Sequence, residues 1–222
     1  TTPAAQLDIE NTTTSSASQG GSLRLGSNDG AVMAADHRLG VVEFVGAEDG
    51  SNNMIVGAKI EAVAMETWDT SNNGATLDFY TTEGNDNAAQ RMTILADGLV
   101  GIGLTAPDSI LELETSEATV YAADGANGQQ GLGTTLHITN TDTTDVGAFS
   151  QVLFEVKGTA SSSFARIACV SPTNNNSALT FCTDATNTLG EAMRITEDKN
   201  VCIGITDPQY KFTVAASTTG SG

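Results

Sequence analysis

The chain has 222 residues, with nine basic side chains against 27 acidic ones and a formal net charge of −18. That balance excludes binding to a nucleic-acid phosphate backbone, which needs clustered Lys and Arg, and it opposes docking on anionic membranes. Hydrophobic residues make up 39% and aromatics 5%, which leaves thin material for a core, and no apolar run approaches membrane-spanning length.

In chain order, Thr2-Pro3 followed by Leu7-Asp8-Ile9 has the form of a module's end. Residues 1–6, with a turn at Pro3, are therefore expected to close a module lying ahead of this stretch. Residues 7–46 read as strands between polar turns: Leu7-Asp8-Ile9, Leu23-Arg24-Leu25-Gly26 and Val41-Val42-Glu43-Phe44-Val45. Ile55 to Ala64 alternates small or apolar with polar residues and predicts a long strand. Asn72-Asn73-Gly74 is a hairpin signal, and Thr76 to Thr81 alternates again. Met92-Thr93-Ile94, Val100-Gly101-Ile102-Gly103 and Leu111-Glu112-Leu113 complete a first β-module over 7–114. Residues 115–135 read as a connector or inserted loop. A second β-module spans 136–214, beginning at Leu136 to Thr141 and continuing through Val152–Val156, Ala165–Val170 and Leu179–Thr183. The tail, 215–222, is flexible in composition.

The two modules share an ungapped frame, Met-x-Ile-x-x-Asp-x-x-Val-x-Ile-Gly-x-Thr-x-Pro, repeated 101 positions on from Pro107 to Pro208. Val100 and Ile102, like Val201 and Ile203, alternate as in a short strand. Gly101 and Gly103 leave one side of that strand bare, and the simplest use of a bare side is close approach of another chain. Pro107 and Pro208 then turn the chain. A thin core in a strand-rich chain predicts burial between subunits. Three such glycine strands meeting at an axis would place Met92, Ile94, Val100, Gly101, Ile102 and Gly103 there. Met193, Ile195, Val201, Cys202, Ile203 and Gly204 would do so in the second module. The odd cysteines Cys169, Cys182 and Cys202 read as buried free thiols, with neither a disulfide framework nor a zinc site.

Lys59-Ile60-Glu61-Ala62-Val63-Ala64, Leu77-Asp78-Phe79-Tyr80-Thr81-Thr82, Arg91-Met92-Thr93-Ile94 and Val100-Gly101-Ile102-Gly103 resemble repeat modules of bacteriophage tail fibres. This sequence departs from the family's pattern at Gln90, Leu99, Ala192 and Cys202. The resemblance implies an all-β fold of tandem modules in an elongated, intertwined homotrimer, with short β-helix or β-prism-like segments at the glycine strands. It also implies a virion tail-fibre location outside any cell, adjacent fibre or tail proteins as partners, and a host-surface glycan or protein as receptor. A non-viral trimeric surface fibre and a polysaccharide depolymerase are the alternatives.

No arrangement in the sequence points to catalysis or a cofactor. Asp97 and Asp198 recur at equivalent positions, as a glycosidase pair would, but each occupies a turn position. His37 and His137 lack partners at a recognisable spacing, and no nucleophile elbow appears. The Asp/Asn clusters Ser27–Gly30, Glu48–Asn53 and Glu83–Asn87 offer hard oxygen ligands without matching a calcium loop; solvated turns account for them. Trp68, the sole tryptophan, is the candidate receptor contact: exposed it would stack on a sugar, buried it would cap the sheet.

Overall fold

The structure, a computed structural model, describes residues 7, 9, 17, 20–84, 87–118, 133–141, 146–159, 161–173, 176–185 and 188–215. The expected module end at 1–6 with Pro3, most of the connector, and all of the tail after Ala215 lie outside them. Among the described residues there are strands and no helix. The chain divides into two units, Thr1–Thr135 and Leu136–Gly222, each with one mixed six-stranded sheet.

The first sheet sets β1 (Arg38–Ala47), β2 (Met54–Ala64), β3 (Ala75–Thr81), β4 (Ala89–Ile94), β5 (Val100–Ile102) and β6 (Leu111–Leu113) side by side in that order. The second repeats the order with β7 (Phe149–Lys157), β8 (Ser162–Val170), β9 (Ala178–Ala185), β10 (Thr188–Ile195), β11 (Val201–Ile203) and β12 (Phe212–Val214). Neighbours are antiparallel except β5 with β6 and β11 with β12, which run parallel. Register coincides as well as order. Met92 faces Ile102 and Ile94 faces Val100; in the second sheet Met193 faces Ile203 and Ile195 faces Val201.

Three expected strands are absent. Leu23-Arg24-Leu25-Gly26 and Leu136 to Thr141 belong to no strand, and neither do Leu7 and Ile9, with Asp8 outside the described residues. Alternation suits a pleated surface, but a strand exists only where a neighbour takes its backbone N–H and C=O groups. Among the described residues, no sheet edge pairs with these segments.

The glycine motif has a reason internal to each sheet. Phe79 pairs with Met92 and Tyr80 with Gln90, so Arg91 is an extra residue, a β-bulge; Ala192 is the extra residue between Glu191 and Met193. The bulged carbonyls are taken up by the motif glycines: Gly103 N donates to Arg91 O at 3.0 Å and Gly204 N to Ala192 O at 2.9 Å. Both glycines hold left-handed backbone, φ +86° and +72°, which an L side chain resists. The strand thus stops at Gly103 or Gly204, ahead of the proline. Residues 103–110 then carry the chain across to a parallel neighbour, a short link for such a step. Val100 N to Ile110 O (3.0 Å) and Glu114 N to Ile102 O (2.9 Å) close it, and Val201 N to Lys211 O (2.8 Å) with Ala215 N to Ile203 O (3.0 Å) close its counterpart. Pro107 is buried inside the first link, and Pro208 lies half-buried in the second.

Candidate functional site

Paired residues share a face of a sheet, so the registers define rows running across all six strands. One row of the first sheet is Val42, Ile60, Phe79, Met92, Ile102 and Leu113. The matching row of the second is Val152, Ile167, Phe181, Met193, Ile203 and Val214. Beside these run Ala62, Leu77, Ile94, Val100 and Leu111 in the first sheet, and Cys169, Leu179, Ile195, Val201 and Phe212 in the second. None of these side chains is charged.

None of them is buried either. Phe44 on this face of β1 is 56% exposed and Phe212 is 62% exposed. Among the described residues no Leu, Ile, Val, Phe or Met is buried at all. Leu25 makes the nearest approach to a cover: a Cβ added at Gly40 would lie 2.8 Å from Leu25 Cβ. A groove of about 330 Å³ remains between Leu25, Val42, Ile60 and Leu77. Contiguous apolar surface on this scale marks an interaction site.

The opposite face inverts the usual rule. It mixes polar and charged side chains with apolar ones such as Val41, Val63, Leu153 and Phe164, and it holds every buried polar residue among those described: Glu61, Asp78, Thr93 and Thr180. Each is tied to neighbours within its own sheet. Asp78 Oδ1 accepts from Thr93 Oγ1 (2.6 Å) and Gln90 Nε2 (3.0 Å), and its Oδ2 accepts from Thr76 Oγ1 (2.7 Å). Glu61 Oε2 pairs with Lys59 Nζ at 2.8 Å and Arg38 Nε at 2.9 Å, and Lys59 lies 4.0 Å over the Tyr80 ring. Burial raises the Glu61 pKa, but hydrogen bonds from Lys59 and Tyr80 and the Lys59 and Arg38 charges outweigh it and leave the carboxyl below its usual value. Burial, reinforced by that carboxylate, pushes the Tyr80 phenol up to about 12. In the second sheet Arg194 forks onto Glu191 at 2.7 and 2.8 Å, which raises the guanidinium further.

The residues expected at an assembly axis therefore divide. Met92, Ile94, Val100, Ile102, Met193, Ile195, Val201 and Ile203 sit together on the uncovered apolar faces. Gly101 and Cys202 lie on the polar face and are buried. A Cβ on Gly101 would meet Leu104 O at 2.8 Å and the Pro107 ring at 3.2 Å, and one on Gly103 would collide with Glu114 O. The bare side that the sequence assigns to another chain is filled here by the same chain. Gly204 is looser, with Ala215 Cβ at 3.6 Å. Cys182 and Cys202 are buried free thiols, but Cys169 is exposed, because it stands in a row of the uncovered face.

Trp68 is half-buried, and its indole Nε1 donates to Gly74 O at 3.1 Å, closing the loop between β2 and β3. The clusters Ser27–Gly30 and Glu48–Asn53 close their own turns, as does Asp97, while Asn85 and Asp86 of the cluster Glu83–Asn87 lie outside the described residues. Asp29 Oδ1 accepts from Ala31 N, Asp49 Oδ1 from Ser51 N and Asp97 Oδ1 from Leu99 N, at 3.0, 2.8 and 3.2 Å. Backbone hydrogen bonds from Ser71, then the Asn72 side chain and backbone, hold the Asp69 carboxyl below its ordinary value. The apolar rows carry the sequence's own signal, alternation in phase on every strand, but only register shows that the phases agree across the sheet.

No protein-family model and no curated protein matches the chain. Two solved structures of the carboxy-terminal domain of the bacteriophage T5 L-shaped tail fibre are similar to it. One is 12% identical with a TM-score of 0.43, covering 93% of this chain and 92% of that one. The other, which includes its intramolecular chaperone domain, is 13% identical with a TM-score of 0.41, covering 93% of this chain and 64% of that one.

Proposed function

We propose that this chain is a structural segment of a homotrimeric bacteriophage tail fibre, built of tandem β-modules and extending toward a host-surface receptor. The observation that carries the reading is the pair of uncharged apolar rows on each sheet, uncovered in the single chain. A second copy is the fitting cover. The net charge of −18 sets copies against one another, while the apolar rows of these two faces carry no charged side chain to oppose contact. Each large side chain they hold would contribute about 1.5–3 kcal/mol on full burial. The resemblance of the glycine-strand modules to tail-fibre repeats supports the same reading. No residue in it performs catalysis; the apolar rows join the copies and the loops face the host.

Sedimentation equilibrium tests the assembly. The expected particle contains three 22.8-kDa chains. The double variant Ile102→Asp, Ile203→Asp puts charge into both rows and is expected to sediment as a single chain that retains β-type circular dichroism. A wild-type chain that stays monomeric at high concentration would reject the reading. Immunogold labelling of phage particles then tests the tail location.

A further inference from the structure

Asn73 and Gly74 end the loop between β2 and β3, in a setting that goes beyond a turn. We propose that Asn73 is a site of self-catalysed deamidation, with the Glu66 carboxylate as general base. Gly74 N donates to Glu66 Oε1 at 3.0 Å. The proton that must leave before this nitrogen attacks therefore already points at a carboxylate oxygen. Gly74 carries no side chain to hinder the approach. Asn73 is exposed to water, and no described residue holds its side chain. The neighbouring Asn72 differs: its Nδ2 is tied to Asp69 Oδ2 at 3.1 Å. Asn53 is likewise tied to Glu48 Oε2, at 2.9 Å.

The chemistry balances with water alone. Gly74 N bonds to Asn73 Cγ as the Cγ–Nδ2 bond breaks. The backbone proton passes through Glu66 to the departing nitrogen, which leaves as ammonia. Water then opens the five-membered imide at either carbonyl and yields aspartate or isoaspartate. Either product adds a negative charge beside Glu66 and Asp69, and isoaspartate also lengthens the backbone by a methylene. Gly74 O is the acceptor for both Met65 N and Trp68 Nε1, each at 3.1 Å. The modification therefore loosens the seat of the only tryptophan.

The test follows the full chain in mildly alkaline buffer at physiological temperature, by peptide mass mapping and isoaspartate detection, with tryptophan emission read in parallel. Asn73 is expected to convert ahead of Asn72 and Asn53, and the emission to drift with the same time course. Glu66→Gln keeps a hydrogen-bond acceptor but not the base, and is expected to slow conversion about tenfold or more. Glu66→Asp, with the carboxylate withdrawn by a methylene, is expected to fall between. Asn73→Gln should remove the emission drift. Conversion in Glu66→Gln at the wild-type rate or faster would overturn the proposal, as would an intact Asn73 in a sample whose Asn72 or Asn53 has converted.

Discussion

Gly103 and Gly204 occupy the same position of the repeated motif but tolerate a methyl group differently. Both have left-handed backbone, yet only at Gly103 would a Cβ strike a carbonyl. Gly103→Ala is expected to destabilise the first unit by about 3 kcal/mol or more, and Gly204→Ala the second by about 1 kcal/mol, read by urea unfolding. In the preceding turn the first unit has Gly98 at φ +89° and the second has Lys199 at φ +61°. Lys199→Gly is therefore expected to stabilise by a few tenths to about 1 kcal/mol, the relief of backbone strain less the added chain entropy. Glu61 titrates lower in the folded state than its ordinary 4.5. Its contribution is thus full above that value and is lost as pH falls through the folded pKa. Unfolding of the first unit in acid should show this slope and lose it in Glu61→Gln. Ala168, which faces Thr180 as Glu61 faces Asp78, offers the second unit no such term.

The strands themselves were legible because alternation over Ile55–Ala64, Thr76–Thr81 or Leu179–Thr183 records which side chains share a face. Three things were not. Leu23 to Gly26 and Leu136 to Thr141 alternate equally well, yet whether they pair depends on an edge that no local pattern reveals. The bulges at Arg91 and Ala192 are backbone events, visible in sequence only as a slip in phase between Gln90 and Met92. The glycines were legible as special, but not which partner comes close, since approach by the same chain, as at Gly101 and Gly103, and by another leave one signature. The bulge and the glycine act together, because each supplies the hydrogen-bond group the other lacks. Deleting Arg91 restores a regular ladder but orphans Gly103 N, and is expected to cost about 1–3 kcal/mol, measured by thermal unfolding.

At the scale of the whole molecule, charge and apolar surface are kept apart. The described acidic residues lie in loops and on the polar faces, so with a net charge of −18 association of the proposed kind works against a diffuse repulsion that salt can screen. Sedimentation velocity is expected to show tighter association at about 0.5 M salt than at about 0.01 M, where the Debye length is near 30 Å. An interface held by ion pairs would respond in the opposite sense.

The parallel step from β5 to β6 changes where the chain ends up. Six strands joined only by hairpins would bring it back to the side of the sheet from which it set out. One parallel step makes the last strand point the same way as the first, so the polypeptide comes in at one side of each sheet and departs at the other. A unit with that sense of travel passes its chain onward in the direction in which it arrived.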